Sequence, residues 1–337
     1  MNRMSVSLEY LTQCAAETGY RVESLEKVVR LGDLASDIAR HPLLGPVLAL
    51  KGGTALNLCY GPPKRLSIDL DYNYVGEIER RKMLEDRTRV ETAAAEIAKR
   101  QGYRVQQSAD AFAGRTLYLR YRSVLGQEER IELDLNFLFR MPLAGTALRE
   151  LWQPGELDRP SVRAVSLDEI LVGKLLALLD RGAARDVWDV ANLPSQAEKV
   201  LRKPSFRSWF IALATMLPHP LPTYSRERLE TRINERVISE QLAPMLARKV
   251  KLDSARLVGN AWSTVSKLLE LGPNEEAFTA AVQNGELPTE LIFRNDKEEA
   301  RRAAIHPAIQ WKIENVRGHI AQGVKKRKKP PQSKRPI

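Results

Sequence analysis

Two aspartates stand one residue apart in the segment "LSIDLDYNY". Residues i and i+2 of a β-strand project to the same face, so Asp69 and Asp71 would point together, with Ser67 beside them. Adjacent carboxylates repel each other, and a divalent cation removes that repulsion. Mg²⁺ in proteins is typically held by one or two carboxylates together with substrate phosphates. The pattern predicts a site for Mg²⁺ or Mn²⁺ and a phosphate-bearing substrate, with a solvated strand face as the alternative interpretation.

A second strand offers another carboxylate. The segment "RIELDLNF" alternates in the same way and places Asp134 on its polar face, between Glu132 and Asn136. An antiparallel pairing of this strand with the first would aim Asp134 at the same cation. Three carboxylates from two strands form the two-metal clamp used for in-line displacement at phosphorus. The predicted metal ligands are therefore Asp69, Asp71 and Asp134.

A glycine pair precedes the aspartates in "LALKGGTALNL". Gly52 and Gly53 would allow backbone N–H groups to approach a phosphate closely, because no Cβ obstructs them. Thr54 is expected to cap the following helix, whose N-terminus favours an anion, and to offer its hydroxyl to a phosphate oxygen. The alternative is an ordinary strand-to-helix turn. No Walker A motif occurs in the chain.

One lysine falls inside an apolar helix stripe. The segment "SLDEILVGKLLALLD" opens with Ser166 and Glu169 in capping-box spacing, and Lys174 is the only charged residue between Glu169 and Asp180. A lysine among leucines needs an anion or must extend to solvent. A triphosphate is one candidate anion, and a structural carboxylate such as Asp186 is the other.

The surrounding pattern predicts an α+β fold: a mixed sheet followed by a helical C-terminal region. Helices are expected over 7–43, 77–101, 166–181, 184–191 and 195–217, with strands in "RLSIDLDYNYV", "TLYLRYRS" and "RIELDLNFLF". We predict a nucleotidyltransferase-type α/β domain over residues 1–163, a helical domain carrying Lys174 and Asp186 over 164–322, and a basic, disordered tail over 323–337.

The charge of the chain is concentrated in that tail. Its seven basic residues account for most of the net charge, which falls from +11 to +4 without them. Such a tail can attract nucleic-acid phosphates, or it can simply be a solvated end that favours solubility. Cys14 and Cys59 have no metal or redox spacing, which is typical of the reducing cytosol. No apolar run is long enough to span a membrane, so we expect a cytoplasmic protein.

Taken together, these motifs resemble the AbiEii/AbiGii toxin family of nucleotidyltransferases, which includes the MenT-like toxins. The family pattern is K-G-G-T, then R-x-S-x-D-h-D, then a helix lysine, then R-D-x-x-D. The chain has each part in order, and the likeness covers roughly residues 20–195. The matching positions are Lys51, Gly52, Gly53, Thr54, Arg65, Ser67, Asp69, Asp71, Lys174, Arg185, Asp186 and Asp189.

The resemblance implies a DNA polymerase β-like fold and transfer of a nucleotide from an NTP with Mg²⁺. In MenT-like members the acceptor is the 3′ end of tRNA, and a cognate antitoxin, a winged-helix repressor or a small inhibitor, accompanies the toxin. It also implies roles for the matching residues, some catalytic and some in nucleotide binding. The catalytic group is Ser67, Asp69, Asp71, Lys174 and Asp186; the nucleotide-binding group is Lys51, Gly52, Gly53, Thr54, Arg65, Ser67 and Lys174.

Two other functions fit the same residues. A transferase of this fold can act on a small molecule or a protein in place of RNA, and a nucleotide-binding module can lack turnover altogether. A glycosyltransferase with a D-x-D motif is disfavoured, because no Rossmann-like glycine fingerprint precedes the aspartates.

Overall fold

The computed structural model describes residues 6–327, with side chains as far as residue 322. The predicted tail over 323–337 therefore lies outside the described side chains, and residues 328–337 lie outside the described backbone. None of the helices in this part of the chain is both long and apolar enough to cross a membrane.

A seven-stranded mixed sheet forms the centre of the first half of the chain. Its spatial order is β3-β4-β5-β2-β1-β7-β6. The strands are β1 (Leu48–Lys51), β2 (Asp69–Tyr74), β3 (Arg104–Gln107), β4 (Gly114–Arg122), β5 (Glu128–Asn136), β6 (Thr146–Glu150) and β7 (Ser161–Val165). The strands predicted around β2, β4 and β5 are present, whereas β3, β6 and β7 were not anticipated. Residue 163, the predicted domain boundary, lies inside β7.

The central pairing differs from the expected one. β2 and β5 run parallel, not antiparallel, with Asp71 opposite Asp134 in the register. The physical reason is the connection: a helix and two further strands separate β2 from β5, and such a crossover returns the chain in the same direction. β1 pairs antiparallel with β2 on the other side, where Lys51 lies opposite Asp71.

Helices cover both faces of the sheet. They are α1 (Leu8–Thr18), α2 (Val22–Arg40), α3 (Leu44–Val47), α4 (Gly52–Cys59), α5 (Arg80–Arg100), α6 (Leu167–Asp180), α7 (Ala184–Ala191), α8 (Gln196–Leu201), α9 (Pro204–Ala214), α10 (Arg226–Arg232), α11 (Glu235–Gln241), α12 (Ser254–Leu269), α13 (Pro273–Gln283), α14 (Lys297–Ile305) and α15 (Pro307–Arg327). The helix expected over 195–217 is two helices, because Pro204 starts α9 and holds Lys203 in an extended conformation.

The alternation of β2 and β5 separates an apolar face from a polar one. Leu70, Tyr72, Leu133 and Leu135 are buried in the core, which α2 and α5 help to form, and the intervening polar residues project to the opposite face. α6 lies near that polar face and packs against α4, α7 and α9. The cleft between α6 and the polar face of the sheet is where the predicted site residues gather.

Candidate active site

The polar face of the sheet carries a row of carboxylates. Asp69, Asp71 and Asp134, here called the carboxylate face, are all partly exposed, in contrast to the apolar residues that alternate with them. Asp71 lies directly opposite Asp134, and like charges in that position destabilise a sheet unless a cation offsets them. The structure therefore brings these two predicted metal ligands side by side.

The pKa of the Asp134 carboxyl is raised in the folded protein. Burial raises the pKa of this carboxyl, and the charge of Asp71 raises it further, against a hydrogen bond from the Thr116 hydroxyl and the charge of Lys51. Thr116 and Lys51 thus do not offset the burial of Asp134 together with its repulsion by Asp71. Carboxylate oxygens that repel each other at a partly exposed edge are donors suited to a hard divalent cation.

Asp69 has a different partner. Its Oδ2 atom lies 3.1 Å from Nη1 of Arg185, the second residue of α7. Within residues 6–327, no group of three or more histidine, cysteine, aspartate or glutamate side chains converges to hold a metal ion. Asp71 and Asp134 fit a cation by chemistry and position, while the third predicted ligand, Asp69, is engaged by an arginine.

The glycine pair lies directly against the carboxylate face. β1 ends at Lys51 and α4 begins at Gly52, whose φ of +70° is in the left-handed region. A Cβ at this position would collide with the carboxylate of Asp71. A Cβ at Gly53 would lie 2.9 Å from Nη2 of Arg65 and 3.0 Å from Oγ of Ser67. Both glycines are required so that the first turn of α4 can approach these polar groups.

Thr54 and Ser67 differ from their predicted placements. Lys51, not Thr54, occupies the cap position of α4. Thr54 is fully buried, and its hydroxyl donates a hydrogen bond to the backbone carbonyl of Asp69, which ties α4 to β2. Ser67 is buried in the irregular segment that precedes β2, because the strand begins only at Asp69. Ser67 therefore lies just before the strand, not within it, and contacts the first turn of α4 at Gly53.

Beneath the glycines lies a buried ion-pair cluster, formed by Arg65, Lys174, Asp186 and Asp189. Nε and Nη2 of Arg65 each lie 2.7 Å from a carboxylate oxygen of Asp189, and Nζ of Lys174 lies 2.7 Å from the same carboxylate. Nζ of Lys174 is 3.9 Å from Asp186, whose two oxygens accept hydrogen bonds from Arg181 at 2.6 and 2.9 Å. The nearest carboxylate to Lys174 is thus Asp189, with Asp186 further away.

The cluster compensates a large desolvation cost. Burial would raise the pKa of Asp189, but Arg65 and Lys174 outweigh that effect and hold the pKa of this carboxyl well below its usual range. Asn57 adds a further hydrogen bond, 3.0 Å from Nδ2 to the Asp189 carboxylate. All four members are almost inaccessible to solvent. The cluster therefore joins α4, the segment before β2, α6 and α7 through charges that are already paired.

A cavity of about 340 Å³ lies between the polar sheet face and α6. Five predicted site residues line it, namely Lys51, Gly52, Gly53, Asp71 and Lys174. The other predicted residues lie around or beneath it without lining it; they are Thr54, Arg65, Ser67, Asp69, Asp134 and Asp186. Apolar residues such as Phe139 and Ile170 form the remaining walls. The cavity thus combines lysines, a glycine turn and a carboxylate, a set suited to a phosphorylated ligand.

Several polar residues that line this cavity were not predicted from the sequence, among them Asn73 and Glu169. Nδ2 of Asn73 donates to Oε1 of Glu169 at 2.7 Å, and the Leu143 N–H donates to Oε2 at 3.0 Å. Burial raises the pKa of Glu169 to about 7, against these hydrogen bonds and the charge of Lys51. The alternation that places Asp71 on the polar face also places Asn73 there, so the sequence pattern could have identified Asn73. Glu169 had only a capping signal, and the Ser166 cap is present.

Comparisons with known proteins identify the family and the fold. A family profile described as nucleotidyl transferase AbiEii toxin, type IV toxin–antitoxin system, matches residues 34–284. A search among curated proteins finds no match. The structure resembles that of MenT4, a nucleotidyltransferase toxin from Mycobacterium tuberculosis H37Rv, with a TM-score of 0.60 and 20% identity over 89% of this chain and 99% of that chain.

The structural likeness confirms the predicted α+β nucleotidyltransferase fold. The family match extends beyond the region of resemblance seen in the sequence, because it includes most of the helices that follow α7. The chain belongs to the AbiEii family of nucleotidyltransferase toxins of toxin–antitoxin systems.

Proposed function

We propose that this toxin transfers a nucleoside monophosphate from an NTP to RNA, with the 3′ end of tRNA as the acceptor. The observation that carries the proposal is the pairing of Asp71 with Asp134 beside the glycine turn, at the edge of a cavity that also contains Lys51 and Lys174. A carboxylate pair suited to a divalent cation, next to a cavity that presents two lysines and a glycine turn, is what a triphosphate requires.

In this proposal the carboxylate face would hold Mg²⁺ or Mn²⁺, which when bound offsets phosphate charge and polarises the reacting phosphorus. Lys51 and Lys174 attract the triphosphate, and Gly52 and Gly53 let it approach the backbone. The acceptor hydroxyl oxygen bonds to the α-phosphorus, pyrophosphate leaves, and the hydroxyl proton passes to a carboxylate of the carboxylate face. Each step uses side chains that line or border the cavity.

The remaining predicted residues have supporting roles in this scheme. Arg65 and Asp186 are buried and paired, so we assign them to positioning Lys174 and the first turn of α4. Ser67 lies under Gly53 and supports the same turn. Thr54 fixes α4 to β2 through its hydroxyl. These residues act on the nucleotide through the groups that they hold.

The choice of RNA as acceptor rests on charge and on the family. A net charge of +11, concentrated in the C-terminal tail, favours a polyanionic partner, and counterion release would make binding depend on salt. As a toxin of a toxin–antitoxin system, the protein has a cognate antitoxin, which we propose to be a winged-helix repressor or a small inhibitor. RNA and NTPs are both present in the cytoplasm, which we propose as its location.

The test is incubation of the protein with each labelled NTP, Mg²⁺ and total tRNA, followed by 3′-end sequencing of the RNA. Label in RNA that disappears with Asp71→Asn supports the proposal, and a chain truncated after residue 322 should bind RNA with a smaller salt slope. Label in a small molecule or a protein would identify another acceptor. NTP binding without pyrophosphate release would identify a binding module.

A further inference from the structure

Arg185 is the one arginine near the cavity that is held by a single contact. Its Nη1 atom lies 3.1 Å from Asp69, and the two side chains remain 41% and 32% exposed. By contrast, Arg65 and Arg181 each bind a buried aspartate through two nitrogens. Among the side chains described, those of residues 6–322, the Asp69 contact is the only ion pair or hydrogen bond of the Arg185 side chain. A half-exposed pair with one contact is weak and can be exchanged.

The position of Arg185 is nevertheless fixed by its helix. The next residue, Asp186, and Asp189 one turn further along α7 are anchored in the buried ion-pair cluster. The backbone of Arg185 therefore stays beside the carboxylate face, while its long side chain is free to change partners. A guanidinium in this place can serve either a carboxylate or a phosphate, because both match its fork of N–H donors.

We infer that Arg185 is an exchangeable counter-ion. In this structure it neutralises Asp69, and on binding of a cation and a nucleotide it would leave Asp69 and contact a phosphate of the triphosphate. This inference rests on the proposed function, since it requires a cation at the carboxylate face and an NTP in the cavity.

The exchange predicts effects of opposite sign for one substitution. Arg185→Ala removes a competitor for Asp69, so Mn²⁺ alone should bind about two- to fivefold more tightly than to the wild type. The same variant lacks a phosphate contact, so an NTP analogue with a methylene group between its α- and β-phosphorus atoms should bind about tenfold more weakly in the presence of Mn²⁺. A residue with a purely structural role would weaken both.

The experiment measures free Mn²⁺ by electron paramagnetic resonance and analogue binding by calorimetry. Arg185→Lys retains the charge but not the fork, so it should bind Mn²⁺ like the wild type and the analogue more weakly. Arg226→Ala is the matched control, because Arg226 is similarly exposed and has one ion pair, with Glu230 on α10. It should change neither affinity, and circular dichroism would show that each variant is folded.

The outcomes separate the inference from the function that it rests on. If wild-type protein binds both Mn²⁺ and the analogue, but Arg185→Ala weakens both or changes neither, the exchange is wrong and the proposed function stands. If the wild type binds neither, the proposed function and the inference both fail. Opposite shifts in Arg185→Ala, with the control unchanged, establish the exchange.

Discussion

The molecule contains two groups of charges within one site, and they are built on different principles. The buried ion-pair cluster has two cations and two carboxylates, all nearly inaccessible to solvent and close together. The carboxylate face has three carboxylates, all partly exposed, with Lys51 and Arg185 as the cations beside them. The charges of the first group cancel, and solvent hardly reaches them. The second group keeps a net negative charge and is partly exposed to solvent.

This difference indicates which group can do chemistry. A buried, fully paired charge is costly to disturb, so it fixes the elements that hold it. A partly exposed carboxylate with an unsatisfied repulsion can gain a cation without first breaking a strong contact. The cluster therefore acts as a scaffold that also holds Lys174 at the cavity, and the carboxylate face is the part that can react. Substitutions in the two groups should separate stability from activity.

The largest effect is expected in the cluster. Asp189→Ala leaves Arg65 and Lys174 buried without their carboxylate, so the free energy of unfolding should fall by about 3–5 kcal/mol. Urea unfolding followed by circular dichroism measures this loss. Glu230→Ala, which removes an exposed ion pair on α10, is the control and should cost about 0.5 kcal/mol or less. Equal losses in the two variants would contradict the scaffold role.

The next effect should appear in activity without a loss of stability. Asp71→Asn keeps the shape of the side chain and removes its repulsion with Asp134, so the free energy of unfolding should stay the same or rise slightly. Nucleotide transfer should fall by about 10²–10³-fold, the scale seen when one preorganised electrostatic group is lost. Transfer assays and urea unfolding on the same preparation check both. A stable variant with full activity would refute the assignment.

A smaller effect is expected at the turn that joins the two groups. Gly52→Ala puts a Cβ on a residue with φ of +70° and against the carboxylate of Asp71, so it should destabilise the fold by about 1–3 kcal/mol. Gly259→Ala on α12 is the control, because a Cβ there meets open space. That control should stabilise the protein by up to about 1 kcal/mol. Thermal unfolding of both variants would show whether Gly52→Ala lowers the melting temperature while Gly259→Ala raises it.

Much of the carboxylate face was accessible from sequence, because it depends on local rules. Alternation of period two placed Asp69, Asp71 and Asp134 on polar faces, and the helices around Lys174 followed from caps and apolar spacing. The strand that carries Asp134 was also placed correctly, although its direction was not. Direction depends on a crossover that passes through α5 and two strands, and no local pattern contains that information.

The buried ion-pair cluster was much harder to foresee. The apolar stripe showed that Lys174 needs an anion, but the choice of Asp189 over Asp186 depends on how α6 and α7 pack. The hydroxyl of Thr54 had a capping interpretation because the exact start of α4 was unknown. Glu169 gave only a capping signal, since its partners Asn73 and Leu143 are distant in the chain. The partners of Lys174, Thr54 and Glu169 are all set by contacts between residues that are distant in the chain.

Glu169 provides the last and smallest test, because its side chain is half-buried at the same cavity and forms no ion pair with a cation among residues 6–322. Burial raises its pKa to about 7 from an ordinary 4.5, whereas Asp189, paired with two cations, is shifted the other way. The folded state then holds a proton on Glu169 that the unfolded state has lost between pH 4.5 and 7. Its contribution to stability is present below pH 4.5 and is lost as the pH rises through 7.

Glu169→Gln should remove that dependence while keeping an acceptor for Leu143. Relative to the wild type, the variant should gain stability as the pH is raised from 4.5 to 8, by on the order of 1 kcal/mol because solvent screens part of the effect at this half-buried side chain. Urea unfolding at several pH values measures the difference, which cancels groups that both proteins share, such as His306 with its pKa lowered by burial to about 4. A difference that is flat across this range would mean that the two hydrogen bonds to Glu169 already compensate its burial, as the two cations do for Asp189.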